Sequence, residues 1–178
     1  MTELAREYGD GLYVLTEEEN ISDEVFSQLQ VLSRCFHEQP DFLRLLSNMS
    51  LSRAERITIL DGALRTQVHP YLLNFLKILL ERNALSEFDG CLAAYKALYN
   101  QEHGIAEASV TTAEALDENQ RARLIEKLEK LSGKKIELKE KVDPSLMGGV
   151  LLEMDGQRYD NTLKTRLEAI HTVMVQGA

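Results

Sequence analysis

The chain has 178 residues, of which 44 % are apolar, and its net charge is −9. It contains no run of about 18 apolar residues, and its start, MTELAREYGDGLY, lacks the basic and apolar regions of a signal peptide. We therefore expect a soluble, cytosolic protein with a packed core and no direct membrane insertion. Residues 1–104 carry 16 acidic against 9 basic groups, which argues against a nucleic-acid partner because phosphates are held by clustered Lys and Arg.

Helical periodicity dominates the first half of the chain. The pattern predicts six helices, including one that begins at the capping-box pair Ser52 and Glu55, one that begins at Pro70 and one over about 86–103. The predicted inner face of the first helix consists of Leu4, Tyr8, Gly11, Leu12 and Leu15.

The fifth helix, YLLNFLKILLERNA, is apolar nearly all round. This composition indicates either complete burial at the centre of the bundle or one face left open as a groove. An acidic domain with such a groove would suit a basic, amphipathic partner helix.

Gly9 and Gly11 lie inside the first helix, where each costs about 1 kcal/mol relative to alanine. Removing the Cβ atom allows another backbone to come close. The glycines could therefore serve packing against a helix of the same bundle or docking of a partner.

The period of the sequence changes beyond Gly104. IAEASVTTA and KKIELKEKVDP predict strands on either side of a helix capped by Asp117 and Gln120, and Asp155-Gly156 joins VLLEM to QRYD as a hairpin. A final helix carries Leu163, Leu167, Ile170 and Met174. The sequence thus predicts an α+β protein, with a six-helix bundle over 1–104 and a small α/β domain over 105–178 that has a short sheet and two helices on one sheet face.

Residues for chemistry are sparse. Cys35 and Cys91 form no CxxC pair, and we expect both to be buried apolar residues. His37 lacks the second histidine of an HExxH zinc motif, and no phosphate-binding glycine loop occurs. We expect no catalytic residue, no metal site and no cofactor.

The segment DPSLMGGVLLEMDGQRYDNTLKTRLEAI, residues 143–170, resembles the C-terminal signature of the ATP synthase delta family, which is called oligomycin-sensitivity-conferring protein in mitochondria. The helical first half, beginning with a tyrosine-containing helix, is similar to that family as well. The first helix departs from the family pattern because Gly9 and Gly11 stand where alanines are common. The signature residues are Asp143, Pro144, Gly148, Gly149 and Asp160, with Pro144 ending the second strand and Asp160 expected to cap the final helix.

The resemblance implies a non-catalytic stator subunit of a bacterial F-type ATP synthase, at the cytoplasmic face of the cell membrane. Such a subunit links the catalytic head to the peripheral stalk, so that proton-driven rotation is coupled to ATP synthesis. The N-terminal bundle would bind the N-terminal helix of an alpha subunit, the C-terminal domain would contact the b subunits, and the chain would be a monomer within the complex. The groove for the alpha subunit is expected to be lined by Tyr8, Leu12, Leu15, Leu72, Leu76 and Leu79.

Two other classes of function compete with this interpretation. Helical bundles also occur in RNA-binding and transcription-factor domains, although the acidic first half argues against that class. A small enzyme working near Asp143, Ser145 and the double glycine would need a base or cofactor motif, and the sequence supplies neither.

Overall fold

The computed structural model describes residues 2–48, 50–146, 148–154, 156–162 and 165. These residues form seven α-helices and a four-stranded sheet, which confirms the α+β class. In chain order the elements are α1 (Glu3–Glu18), α2 (Ser22–Glu38), α3 (Pro40–Leu46), α4 (Arg53–Leu64), α5 (Pro70–Glu81), α6 (Phe88–Glu102), β1 (Ile105–Thr112), α7 (Glu118–Ser132), β2 (Lys135–Val142), β3 (Gly149–Met154) and β4 (Gln157–Thr162).

The chain divides into two compact units, 1–99 and 100–178. The sequence predicted the division at 104/105, whereas the structure places it within α6, before its last turn. None of the helices in the described part of the chain is long and apolar enough to cross a bilayer.

Both predicted capping boxes are present. The Ser52 hydroxyl accepts a hydrogen bond from the Glu55 amide at 3.3 Å, and the Glu55 carboxylate accepts one from the Ser52 amide at 2.8 Å. Hydrogen bonds from the Ser52 amide and the Ser52 hydroxyl to this carboxylate hold the pKa of Glu55 below its usual value. At the start of α7, Asp117 and Gln120 exchange the same two bonds at 2.7 and 3.0 Å. Each pair satisfies amide groups that a helix N-terminus leaves without partners.

The core of the N-terminal unit is built around α5, which buries six of its twelve residues. This helix packs directly against α4 and α1. From α6, Tyr95 reaches the interior and donates a hydrogen bond from its hydroxyl to the Ser22 carbonyl at 2.9 Å. The N-terminal helices are therefore joined by a polar contact as well as by apolar packing.

The sheet of the C-terminal unit has the strand order β2-β1-β3-β4. The strands β1 and β2 are parallel and joined through α7, whereas β3 is antiparallel to both β1 and β4. Alternate residues of β1, including Val110, are buried on one face of the sheet. Glu140 of β2 is the register partner of Val110 and therefore lies on the same face. There it forms an ion pair with Arg121 of α7. Thus α7 covers the inner face of the parallel pair. The predicted β3–β4 hairpin is confirmed.

The signature glycines adopt backbone conformations that other residues rarely reach. Gly148 has φ +138° and Gly149 has φ +89°, and together they lead the chain into β3. The preceding strand ends at Val142, just before Pro144, as the sequence predicted.

Asp160 is not a helix cap. It lies within β4, where its register partner is Leu151, and its carboxylate is 4.0 Å from the Arg158 guanidinium. The prediction was wrong because β4 continues to Thr162, two residues further than the tyrosine–aspartate pair suggested. The predicted final helix, with Leu163, Leu167, Ile170 and Met174, lies outside the described residues.

Only one of the two cysteines follows the expected burial. Cys91 of α6 is 1 % exposed, and burial raises its pKa to about 11. Cys35 of α2 is exposed. It precedes buried Phe36 by one residue, and a step of about 100° around the helix moves its side chain from the core to the edge of the buried face.

Candidate functional site

The predicted partner site involves α1 and α5, which contact each other in the N-terminal unit. The first helix is capped by Thr2, whose hydroxyl accepts a hydrogen bond from the Ala5 amide at 3.2 Å. The fifth is capped by His69, whose ring nitrogen accepts from the Tyr71 amide at 3.3 Å, with Pro70 as the first helical residue. The starting points of both helices are thus fixed locally.

The three α5 residues of the predicted groove all lie in the core. Leu72, Leu76 and Leu79 are each 0 % exposed. An open groove lined by these side chains is therefore absent from the described structure. The sequence left open complete burial of α5 or an open groove, and the structure buries six of its twelve residues, including these three leucines.

The α1 residues of the predicted groove divide between core and surface. Leu12 is 5 % exposed, Tyr8 is half-buried, and Leu15 is 39 % exposed. Leu15 and Tyr8 share their helix face with Leu4, which is also exposed. An accessible apolar strip therefore runs along α1.

An exposed apolar residue of α5, Ile78, was not among the predicted groove residues. Ile78 is 44 % exposed, whereas the leucines and the phenylalanine of the same helix are buried. Asn74 and Glu81, one turn before and one turn after it, are also exposed. This pair of polar residues at helical spacing was the signal that marks the outer face of α5.

The two glycines of α1 have different environments. Gly9 is buried against α6, where an added Cβ would lie 2.7 Å from the Cβ of Ala94 and closer still to the Cys91 carbonyl oxygen. Gly11 is exposed, and an added Cβ would meet nothing within 4 Å. Internal packing therefore explains Gly9 but not Gly11, which lies on the accessible strip between Tyr8 and Leu15.

The C-terminal end of α1 is strongly acidic. Glu17 and Glu18 lie in the last turn, Glu19 is the cap residue, and that turn contains no basic residue. Carboxylates at a helix C-terminus are unfavourable because this end carries the negative pole of the macrodipole. Three such residues beside an apolar strip give the surface a negative border.

The C-terminal unit has a second accessible apolar region. A cavity of about 310 Å³ is lined by Leu116, Leu124 and Val150, with the cationic residues Arg123 and Lys127 beside them. Leu131 lies two turns after Leu124 on α7 and is 81 % exposed. The strip of α7 that contains Leu124 and Leu131 is thus apolar with a basic border.

No arrangement of the described residues supports catalysis. Asp89 accepts a hydrogen bond from the Ser33 hydroxyl at 2.9 Å and lies 3.6 Å from the His37 ring, so the serine is bonded to the carboxylate and not to the histidine that would activate it in a Ser–His pair. Near the double glycine, the Ser145 hydroxyl donates to Asp143 at 2.6 Å and lowers the pKa of that carboxyl group. This local contact forms a turn rather than an activated nucleophile.

The family of the chain follows from comparison with known proteins. The model of the ATP synthase delta (OSCP) subunit family matches residues 4–174. The chain belongs to the ATP synthase delta (OSCP) family. Members of the family are non-catalytic subunits of the peripheral stalk, and an RNA-binding or transcription-factor function is not supported.

Similarity to individual proteins of the family extends over nearly the whole chain. The ATP synthase subunit delta of Acidiphilium cryptum is 30 % identical over 98 % of this chain and 89 % of its own length. The protein of the same name from Alkaliphilus metalliredigens is 30 % identical over 99 % and 98 %. A chain in the cryo-EM structure of the Toxoplasma gondii mitochondrial ATP synthase hexamer has the same fold, with a TM-score of 0.76 at 17 % identity and 98 % coverage of both chains.

Proposed function

We propose that the helices of the N-terminal unit act as one six-helix bundle that binds the amphipathic N-terminal helix of an ATP synthase alpha subunit, and that the C-terminal unit binds the b subunits. The chain then connects the catalytic head to the peripheral stalk at the cytoplasmic face of the cell membrane. Its task is to resist the torque of the rotating shaft, so that proton flow remains coupled to ATP synthesis.

One observation carries the first half of this proposal. Leu15 and Ile78 are both exposed, and they lie on two helices, α1 and α5, that pack directly against each other. Exposed apolar side chains on neighbouring helices are the anchors that an amphipathic partner helix uses. We therefore assign the docking surface to the outer faces of these helices, with Tyr8 and Leu15 retained from the predicted set and Ile78 added.

Gly11 contributes to this surface by its lack of a side chain. It lies between Tyr8 and Leu15 on the accessible strip, and its exposed backbone leaves space for a partner to approach. A stator contact must dissociate slowly, and close packing of apolar anchors is the main source of slow dissociation.

The negative charge of the N-terminal unit indicates a positively charged partner. Residues 1–104 contain 16 acidic and 9 basic groups, and Glu17, Glu18 and Glu19 are concentrated at the end of α1. A partner helix with basic residues on its polar face would be attracted to this surface during encounter. The apolar anchors would then determine how long it stays.

The C-terminal unit offers a surface of the opposite sign for the b subunits. Its exposed Leu131 continues the α7 face on which Leu124, Arg123 and Lys127 border the 310 Å³ cavity. An apolar strip with a basic border suits an acidic amphipathic segment. The two units would thus select partners of opposite charge.

The test uses matched pairs of exposed residues. A synthetic peptide of the alpha-subunit N-terminus is titrated against the full chain and against Ile78→Asp and Leu15→Asp. The controls are Val31→Asp and Leu45→Asp, whose parent residues are 46 % and 43 % exposed on α2 and α3. We expect the first two variants to weaken binding by about ten-fold or more and the controls to change it by less than about two-fold. Equal effects in both pairs would contradict the assignment of the surface.

A further inference from the structure

A cavity of about 420 Å³ lies between α2, α3 and α4, apart from the docking surface proposed above. None of its twelve described lining residues is charged, although charged residues make up 28 % of the chain. Its size falls within the range of about 300–1,000 Å³ that is typical of small-molecule sites. The cavity therefore has the size and the polarity of a site for an uncharged ligand.

Aromatic rings form part of the wall. Phe36 is 4 % exposed, and its ring centroid lies 6.2 Å from that of half-buried Phe42, at an interplanar angle of 31°. Leu32, Leu64 and Val68 complete the apolar surface. Rings at this spacing accommodate further aromatic groups in offset or edge contacts.

Polar groups at the edge of the cavity are available to a ligand. The side-chain amides of Gln39 and Gln67 make no hydrogen bond to the described residues. The amide of Gln28, by contrast, is already engaged, because its oxygen accepts from the His69 amide at 2.7 Å and its nitrogen donates to Glu24 at 2.9 Å. Two uncharged amides can bind a ligand's donor or acceptor, whereas they offer no counter-ion to a charged one.

We propose that this cavity binds an uncharged, aromatic small molecule. A charged ligand would lose hydration there without gaining an opposite charge, which is strongly unfavourable. The site is distinct from the α1–α5 surface, so its occupancy does not depend on the partner assignment above.

The probe is N-phenylnaphthylamine, an uncharged aromatic dye, and its matched control is anilinonaphthalene sulfonate, which adds one negative charge to the same skeleton. We expect the full chain to bind the uncharged dye at least about ten-fold more tightly than the sulfonate, as measured by fluorescence titration. Equal binding of the two dyes would show non-specific adsorption to exposed apolar residues and would overturn the proposal.

Two substitutions locate the dye. Val31 lines the cavity and is 46 % exposed, whereas Val14 of α1 lies outside it and is 52 % exposed. We expect Val31→Lys to weaken dye binding by about ten-fold and Val14→Lys to change it by less than about two-fold. Circular dichroism establishes that both variants are folded. Unchanged binding by Val31→Lys places the dye elsewhere and refutes the assignment.

The thiol of Cys35, which is exposed and lines the cavity, reports occupancy directly. Cys91 is buried with its pKa raised to about 11, so a maleimide should react first with Cys35. We expect the uncharged dye to slow this reaction by about five-fold or more at saturation. If Cys35 reacts more slowly at higher protein concentration without dye, a second copy of the chain fills the cavity. If saturating dye leaves the reaction rate of Cys35 unchanged, the dye binds elsewhere. Either result overturns the proposal.

Discussion

The hydroxyl oxygens of Thr16 and Tyr95 lie 2.8 Å apart in the interior of the N-terminal unit, joining α1 to α6. Both residues are 0 % exposed, and the Tyr95 hydroxyl also donates to the Ser22 carbonyl at the start of α2. One phenol therefore connects three helices. Because buried polar groups are costly without partners, this contact specifies how α1, α2 and α6 meet.

The pKa of the same phenol leads us to expect lower stability at high pH. Burial raises the pKa of Tyr95 from 10.0 to about 12, so the folded state keeps its proton when the unfolded state has lost it. The contribution of protonated Tyr95 to the free energy of unfolding is fully present below pH 10 and is lost as the pH rises from 10 to 12. Urea unfolding measured from pH 10 to 12 should show a smaller decrease of the free energy of unfolding in the Tyr95→Phe variant than in the parent chain.

At neutral pH, Tyr95→Phe should lower the free energy of unfolding by about 1–2 kcal/mol, because the Ser22 carbonyl loses its donor. A parallel decrease of stability with pH in both proteins would mean that another group controls the alkaline transition. Tyr99 is the alternative, since its hydrogen bond to Asp23 raises its pKa to about 12 as well.

The two glycines of α1 should respond to alanine in opposite directions. Gly9→Ala places a methyl group 2.7 Å from the Ala94 Cβ and should destabilise the chain by about 1–3 kcal/mol, because α1 and α6 must separate. Gly11→Ala has open space and should stabilise it by about 0.5–1 kcal/mol through helix propensity. Chemical unfolding measures both values.

Peptide titration separates a packing role of Gly11 from a docking role. If Gly11 leaves space for the alpha-subunit helix, the more stable Gly11→Ala variant should bind the peptide more weakly than the parent chain. Tighter or equal binding would assign no docking role to this glycine.

Replacing Glu17, Glu18 and Glu19 by glutamine should raise stability and slow association. The stability gain, about 0.3–1 kcal/mol per residue, follows from removing carboxylates from the negative end of α1. Stopped-flow mixing with the alpha-subunit peptide should show a lower association rate that depends less on salt. An unchanged salt dependence would mean that these carboxylates do not attract the peptide.

Leu131→Asp should weaken binding to a soluble fragment of the b subunit without unfolding the C-terminal unit, since the side chain is 81 % exposed. Leu45→Asp, at an exposed position of the N-terminal unit, is the control. Co-purification of the tagged fragment with each variant measures the difference. Retention of the fragment by Leu131→Asp would exclude the strip of α7 that contains Leu124 and Leu131 as the contact.

Features that depend on neighbouring residues were predictable from the sequence. The capping boxes at Ser52 and Asp117 need only a partner three residues later, and the β3–β4 hairpin needs only a short turn between two extended segments. Their geometry is determined locally, so no knowledge of tertiary packing was required.

The accessible surface was less predictable because it depends on how the helices pack. Residue type does not distinguish buried Leu76 from exposed Ile78, and the outer face of α5 is marked only by the polar residues one turn away from Ile78. Cys35 shows the same limit, since one step around α2 separates it from the core. The 420 Å³ cavity arises from three helices and has no signature in any one of them.

The position of β2 has a consequence for copies of the chain that are made in excess of their partners. In the described sheet β2 is an outer strand, paired only with β1, and its exposed residues include Lys135, Lys139 and Lys141. Glu137 and Glu140 are exposed on the same strand, so charged side chains line this edge and would lose hydration between stacked copies. The charged residues of β2 therefore disfavour edge-to-edge association between free copies of the chain.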